Sequence, residues 1–238
     1  MTGRRRIRPA PTIPAGRGPV VRSLRISRPP HATGAPLHRV IVAVDVVGST
    51  ARTNPGRARL RQAMYGALDR ALVRGGIAER HRDPMVDRGD GALVLVHPVD
   101  QVPKTLLLNS FIPALTELVA DPRVQPLRLR VALHAGEVHY DSRGPFGEAL
   151  DLACRLVDAP ELKVMTMYTT VPVVLAVSDH IYQSVVRHRY TGIDDDTYLP
   201  LVRLDLGGRR QRGWVAIPEE VTPVRERLES RRGPGRPA

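Results

Sequence analysis

The segment HRVIVAVDVVGST (residues 38–50) combines a long apolar run with an acidic residue and a glycine turn. The run from His38 to Val47 predicts a buried strand. Asn54 and Pro55 then predict a helix start, with Asn54 as the cap and Pro55 at the first helical position. Large apolar side chains recur every fourth residue of this helix and give it one apolar face: Leu60, Met64, Leu68 and Leu72.

The pattern continues with elements that alternate in type. Residues 92–96 predict a second buried strand, and residues 103–120 predict a helix that Pro113 kinks or breaks. Residues 127–134 predict a third strand with one face covered. With a pair of strands in the second position, the order is strand, helix, paired strands, helix and strand. It is typical of the ferredoxin-like βαββαβ arrangement, an α+β fold with an antiparallel sheet and helices on one face. Additional elements are expected beyond it: a helix over 147–157, a strand over 172–177, a helix over 179–188 capped by Ser178, and strands over 201–206 and 214–217.

Composition divides the 238 residues into one domain and two tails. Segments 1–36 and 221–238 are rich in Arg, Pro and Gly, so we predict disordered tails around a domain at 37–220. The tails carry most of the formal net charge of +12, which disfavours a nucleic-acid-binding domain. Binding of nucleic acid or an anionic membrane surface by the first segment stays an alternative.

The cellular location of the protein is predicted from its cysteine content, its first residues and the length of its apolar runs. The chain has one cysteine, and we read no signal peptide in its first residues. Its apolar runs are shorter than a membrane helix requires. These features predict a cytoplasmic protein without integral membrane contact.

Two aspartates lie beside glycines at predicted strand edges. Asp45 ends the first strand, and Asp90 occupies the turn before the second. Magnesium binds oxygen ligands from one or two carboxylates plus substrate phosphates, so this pair is a candidate metal site. Gly48 permits a tight bend in which the amides of residues 46–50 face a polyphosphate, with hydroxyl groups nearby. Taken singly, each aspartate is more often a turn residue or a helix cap than a metal ligand.

Four motifs follow one another along the chain. They are DVVGST (45–50), GDG (89–91), RVALHAG (130–136) and DLACR (151–155). In their order and spacing they resemble the class III adenylate and guanylate cyclase family, over about residues 38–218. Each motif alone is weak, whereas four in order are fairly specific. The resemblance implies the class III nucleotidyl cyclase fold.

The resemblance also implies a metal and nucleotide site. Asp45 and Asp90 would hold two divalent ions, Mg²⁺ or Mn²⁺, with the Val46 carbonyl as a further ligand. The substrate would be a nucleoside triphosphate. The turn that follows the first aspartate would contribute to its binding through Val47, Gly48, Ser49 and Thr50.

A second set of residues is implied on the helix of the last motif. Arg155 would stabilise the phosphate that becomes the cyclic ester, a role that suits a permanently charged guanidinium. Asp151 stands where the family has a ribose-binding Asn, and it can accept but not donate a hydrogen bond. In the family the site is completed across a dimer, so a homodimer is expected. The metal aspartates would come from one protomer, and Asp151 and Arg155 from the other.

The positions at which the family selects a purine are Val86 and Gly144 here. Neither side chain can read a purine edge by hydrogen bonding. Three alternatives remain: loose specificity, an unusual base such as a pyrimidine, or no catalysis. Bacterial cyclases that make cyclic CMP or UMP in antiphage signalling belong to the same superfamily. Asp87 and Arg88 are either substitute contacts to the base or a surface pair.

Two functions therefore stay open for the domain. The first is metal-dependent conversion of a nucleoside triphosphate into a 3′,5′-cyclic nucleotide and pyrophosphate. The second is a nucleotide-binding regulatory module with weak or lost chemistry. Retention of both aspartates and of Arg155 supports the first, whereas Asp151 and the absent base-reading side chains support the second.

Overall fold

A computed structural model describes residues 34–121 and 126–216. The segments predicted to be disordered lie outside these residues, except for residues 34–36. The predicted domain boundaries, the disorder and any nucleic-acid binding by the first segment therefore stay predictions.

Eight strands form one sheet in the described part of the chain. Its order is β2-β3-β1-β4-β6-β8-β7, and β5 pairs with β4 off this path. The strands are β1 (Leu37–Val46), β2 (Val86–Asp87), β3 (Gly91–Val96), β4 (Leu129–Asp141), β5 (Gly144–Phe146), β6 (Val173–Ser178), β7 (Tyr198–Leu206) and β8 (Arg209–Ala216).

The first four strands confirm the ferredoxin-like expectation. Strands β2, β3, β1 and β4 lie side by side and are antiparallel at each contact. The sheet as a whole is mixed rather than antiparallel, because β6 pairs in parallel with β4. A helical crossover between two strands of the same direction produces this pairing.

The helices differ from the sequence predictions in detail. Their bounds are α1 (Asn54–Arg74), α2 (Lys104–Leu106), α3 (Ile112–Ala120), α4 (Glu148–Val157), α5 (Pro160–Tyr168) and α6 (Asp179–Ser184). Thr53, rather than Asn54, caps α1, because its hydroxyl oxygen accepts from the Gly56 amide at 3.4 Å. A π-helical turn over Leu107–Phe111 joins α2 to α3. The break thus precedes Pro113, whose missing amide proton weakens the preceding turn.

The two helices of the βαββαβ core, α1 and α3, lie on one face of the sheet as expected, and the additional helices α4 and α5 cover the other face. Alternate residues of β1 point to opposite sides, as in any strand. Val42 packs in a core with α1 and α3, whereas Ile41 packs in a second core with α4 and α5. The physical reason is the unbroken apolar sequence of β1, which leaves two faces to be removed from water.

The bounds of the short strand β2 were not predicted from sequence, nor were the strand β5 and the helix α5. Each is short or lacks a clear apolar period, which is the main signal for an element. None of the helices within 34–121 and 126–216 is long and apolar enough to cross a membrane.

Candidate active site

The pairing of β1 with β3 brings Asp45 and Asp90 together. Asp45 is the register partner of Gly91, and the Val46 amide donates to the Asp90 carbonyl oxygen at 3.0 Å. The end of β1 therefore meets the beginning of β3. Both aspartates line one cleft, and the negative charge of Asp90 acts on Asp45.

Gly91 makes this close approach possible. A Cβ atom at this position would lie 2.3 Å from the Val44 carbonyl oxygen, a distance that no real side chain adopts. Gly89 has a different task, because its φ of 79° forms the turn that precedes Asp90. The two glycines of the GDG motif thus fix the aspartate between them.

The segment after Asp45 folds into a short 3₁₀ turn over Ser49–Ala51. Gly48 enters it with a φ of 74°, as the sequence predicted for a tight bend. The Val47 amide donates to the Arg128 carbonyl at 2.9 Å, so it is not free to bind a phosphate. The amides that remain for an anion are those of Gly48, Ser49 and Thr50.

Ser49 links this turn to the second aspartate. Its buried hydroxyl donates to Asp90 Oδ2 at 2.5 Å. The sequence predicts Ser49 as a nucleotide-binding residue. In the structure its hydroxyl orients the Asp90 carboxylate, and its role in nucleotide binding stays a prediction.

Arg130 is a site residue that the sequence reasoning missed. It is the register partner of Asp45 on β4, and its guanidinium forms an ion pair with the Asp45 carboxylate. Both side chains are mostly buried, at 13% and 16% exposure. An arginine inside a covered strand was the available signal, since a buried charge requires a partner.

The electrostatics of Asp45 and Asp90 favour the binding of a cation between them. Burial raises the pKa of Asp45 above its usual range, and the charge of Asp90 raises it further. The Arg130 guanidinium opposes both effects. Two carboxylates at one strand edge present the oxygen ligands that hard divalent ions prefer. The residues present thus fit a divalent metal.

A cleft of about 420 Å³ extends from the two aspartates towards α4 and α5. Its floor is apolar, with Ala43 and Leu93 from the sheet. Its walls carry three acidic and three basic side chains: Asp45, Asp90, Asp158, Arg88, Arg130 and Lys163. The charges of these six side chains cancel. Such a cleft suits an anionic ligand whose negative charge is offset by bound cations.

Comparison with solved structures identifies the architecture. An adenylate/guanylate cyclase/hydrolase from Silicibacter pomeroyi matches with a TM-score of 0.52 and 19% identity, over 77% of this chain and 98% of that one. The guanylate cyclase domain of RhGC from Catenaria anguillulae, in complex with GTP, has a TM-score of 0.53 and 14% identity, over 75% and 95% of the two chains. The adenylyl cyclase CyaB from P. aeruginosa has a TM-score of 0.51 and 13% identity, over 77% and 95%.

The chain has the class III nucleotidyl cyclase fold. At such identities the likeness is one of fold. No protein-family model matches the sequence, and no curated protein matches it. The resemblance inferred from four short motifs is thus confirmed at the level of the fold.

The cyclase fold keeps Asp151 and Arg155 apart from the two aspartates within one chain. Both lie on the exposed face of α4 and do not line the cleft. The Arg155 Nη1 group donates to the Asp205 carbonyl oxygen at 3.3 Å. The inner face of the helix packs as predicted, with Leu150, Ala153 and Leu156 buried.

The two predicted base-selecting positions also lie outside the cleft. Val86 pairs with Leu93 in the short strand β2, and it packs on the same side of the sheet as α4. Gly144 begins β5 with a φ of 134°, and its amide donates to Asp141 Oδ1 at 3.1 Å. Their role in nucleotide binding stays a prediction.

A separate acidic group lies elsewhere in the cyclase fold. Asp194, Asp195 and Asp196 have carboxylate oxygens within 4.8 Å of one another. Arg189 forms ion pairs with Asp195 and Asp196, and the turn is largely exposed. This cluster shares no residue with the cleft at Asp45 and Asp90.

Proposed function

We propose that this protein is a metal-dependent nucleotidyl cyclase that converts a nucleoside triphosphate into a 3′,5′-cyclic nucleotide and pyrophosphate. The observation that carries the proposal is the convergence of Asp45 and Asp90 on one charged cleft in a cyclase fold. In the reaction the 3′-hydroxyl group releases its proton to solvent, and its oxygen bonds the α-phosphorus. The bond from that phosphorus to the oxygen of the leaving pyrophosphate breaks.

Asp45 and Asp90 would hold two divalent ions, Mg²⁺ or Mn²⁺, together with the Val46 carbonyl. Such ions supply charge neutralisation of the triphosphate and acidify a bound hydroxyl group. The chain prepares this site in two ways. Ser49 fixes the orientation of Asp90, and Arg130 neutralises Asp45 in the absence of a cation.

The turn after β1 is suited to hold the phosphates. The amides of Gly48, Ser49 and Thr50 belong to a glycine-containing bend, a type of backbone segment that can bind anions. Arg130 adds a planar, permanently charged guanidinium beside them, and such a group can donate two parallel hydrogen bonds to phosphate oxygens. Its buried Nε atom has no hydrogen-bond partner among the described residues.

We infer that the site is completed in a homodimer. Arg155 and Asp151 are exposed on α4 and lie outside the cleft of their own chain. A second copy arranged head to tail would bring them to the cleft of its partner. Arg155 would then stabilise charge on the phosphate that cyclises, and Asp151 would accept from a ribose hydroxyl.

The substrate class is a nucleoside triphosphate, by analogy with the GTP complex of the Catenaria domain. Val86 and Gly144 offer no side-chain hydrogen bonds to a purine. We therefore include a pyrimidine triphosphate among the proposed substrates, with a role in antiphage signalling in the cytoplasm.

One observation favours the alternative of a nucleotide-binding regulatory module. Asp151 replaces an amide that would both donate and accept, and it adds negative charge where phosphates would lie. Such a module would bind nucleotide and metal without forming product.

The deciding experiment incubates the purified full chain separately with ATP, GTP, CTP and UTP, with Mg²⁺ or Mn²⁺, and analyses the products by mass spectrometry. A cyclic mononucleotide that is absent with Asp45→Asn supports the enzyme and identifies its base. Nucleotide-dependent thermal stabilisation without cyclic product from any of the four would favour the regulatory module.

A further inference from the structure

Arg88 lies in a tight turn beside Asp90. Its amide donates to the Gly91 carbonyl oxygen at 3.0 Å, which closes the turn. The Gly89 amide donates to Asp87 Oδ1 at 2.7 Å, which fixes the same backbone from the other side. The position of Arg88 is therefore tied to that of the Asp90 carboxylate.

The side chains of Asp87 and Arg88 point in different directions, so they are not a surface pair. Asp87 forms an ion pair with Arg61 on α1, which lowers the pKa of Asp87 to about 2. Arg88 instead extends into the cleft towards α4 and donates to Cys154 Sγ at 3.1 Å. It thus spans the cleft from the β2–β3 turn to α4.

The partner of Arg88 is a weak hydrogen-bond acceptor. Cys154 is half-buried rather than fully buried, and burial raises the pKa of its thiol. The sulfur is therefore a neutral thiol near pH 7, which accepts hydrogen bonds poorly. A charged oxygen would form a much stronger bond to the same guanidinium.

The other basic side chains of the cleft already have carboxylate partners. Arg130 pairs with Asp45, and Lys163 pairs with Asp158 at 3.2 Å. Among the basic cleft residues that the structure describes, Arg88 is the one whose hydrogen-bond partner is uncharged. Its side chain is also exposed.

We propose that Arg88 is a further triphosphate-binding residue, contributed by the same chain as Asp45 and Asp90. The inference rests on the proposed function of the cleft. On binding, the guanidinium exchanges the Cys154 sulfur for phosphate oxygens and binds them beside the metal carboxylates. This interaction depends on the phosphates and not on the base.

Isothermal titration of the full chain with inorganic triphosphate and with each nucleoside triphosphate, at fixed Mg²⁺, tests this role. Arg88→Ala should weaken the binding of both kinds of ligand about tenfold, because a charge-assisted interaction is lost. Arg88→Lys should retain part of the affinity as a point charge. Arg80→Ala is the matched control, since Arg80 is equally charged and exposed but lies outside the cleft.

The outcomes are separable. Unchanged binding in Arg88→Ala, with an unchanged thermal midpoint, would overturn the role of Arg88 and leave the proposed function standing. A loss confined to one nucleotide, with inorganic triphosphate unaffected, would also overturn it and assign Arg88 to the base instead. If the unaltered chain bound neither kind of ligand, the proposed function would fail together with this inference.

Discussion

Asp45 and Arg130 face each other as direct register partners on neighbouring antiparallel strands, and their side chains form a mostly buried ion pair. They are 85 residues apart in the sequence. The pair joins the proposed metal ligand to a cation of the chain itself, so the same contact contributes to stability and to the candidate site.

Arg130→Ala should lower the free energy of unfolding by about 2 kcal/mol, because it leaves the Asp45 carboxylate buried without its counter-charge. The double variant Asp45→Asn, Arg130→Ala should regain part of this loss. Urea unfolding of the two single variants and the double variant measures the coupling. Strictly additive losses would contradict an energetic link between the two side chains.

Mixing two inactive variants should restore activity if the site is shared between protomers. Asp45→Asn removes a proposed metal ligand, and Arg155→Ala removes the guanidinium proposed to stabilise the cyclising phosphate. A mixed dimer then contains one site with both changes and one intact site. After subunit exchange, random mixing should give about a quarter of the unaltered activity. A mixture as inactive as its components would contradict a site that is shared between protomers.

Gly91→Ala should destabilise the protein by about 2 kcal/mol or more, since the added Cβ meets the Val44 carbonyl and forces β1 away from β3. Gly66→Ala is the matched control. Its Cβ meets no atom within 4 Å, and alanine favours the helix by about 1 kcal/mol over glycine. The midpoint of thermal unfolding should therefore fall for Gly91→Ala and rise for Gly66→Ala. A shift of the same sign in both variants would refute the close approach of β1 to Gly91.

Stability should fall on acidification because of His134. Burial lowers the pKa of His134 to about 4, and the positive charges of His180, His38 and Lys104 contribute. Its Nδ1 atom lies 2.8 Å from Ser178 Oγ, which satisfies the neutral ring. The unfolded chain takes up this proton near pH 6.5 but the folded chain does not, so stability is lost as the pH falls from about 6.5 towards 4.

The expected slope is at most about 1.4 kcal/mol per pH unit for this one group. His134→Gln should remove it, as measured by urea unfolding at several pH values. The exposed His188 gives a control, and His188→Gln should preserve the slope. An unchanged slope in His134→Gln would mean that other groups account for the acid sensitivity.

The sequence by itself determined the elements whose signals are local. The apolar run of β1 and the fourfold spacing on α1 predicted their positions closely, because burial imposes a period on each element. Gly48 and the GDG motif predicted tight turns, since a positive φ favours glycine. These turns position both aspartates at strand edges.

Only the tertiary structure decided which side chains meet across the sheet. Three features depend on strand order and register: the ion pair of Asp45 with Arg130, the hydrogen bond from Arg88 to Cys154, and the second helical layer on the sheet. These are contacts between distant residues, and no local period or turn signal specifies them. The sequence thus determined the elements and candidate ligands, and long-range pairing determined how their charges are arranged around the cleft.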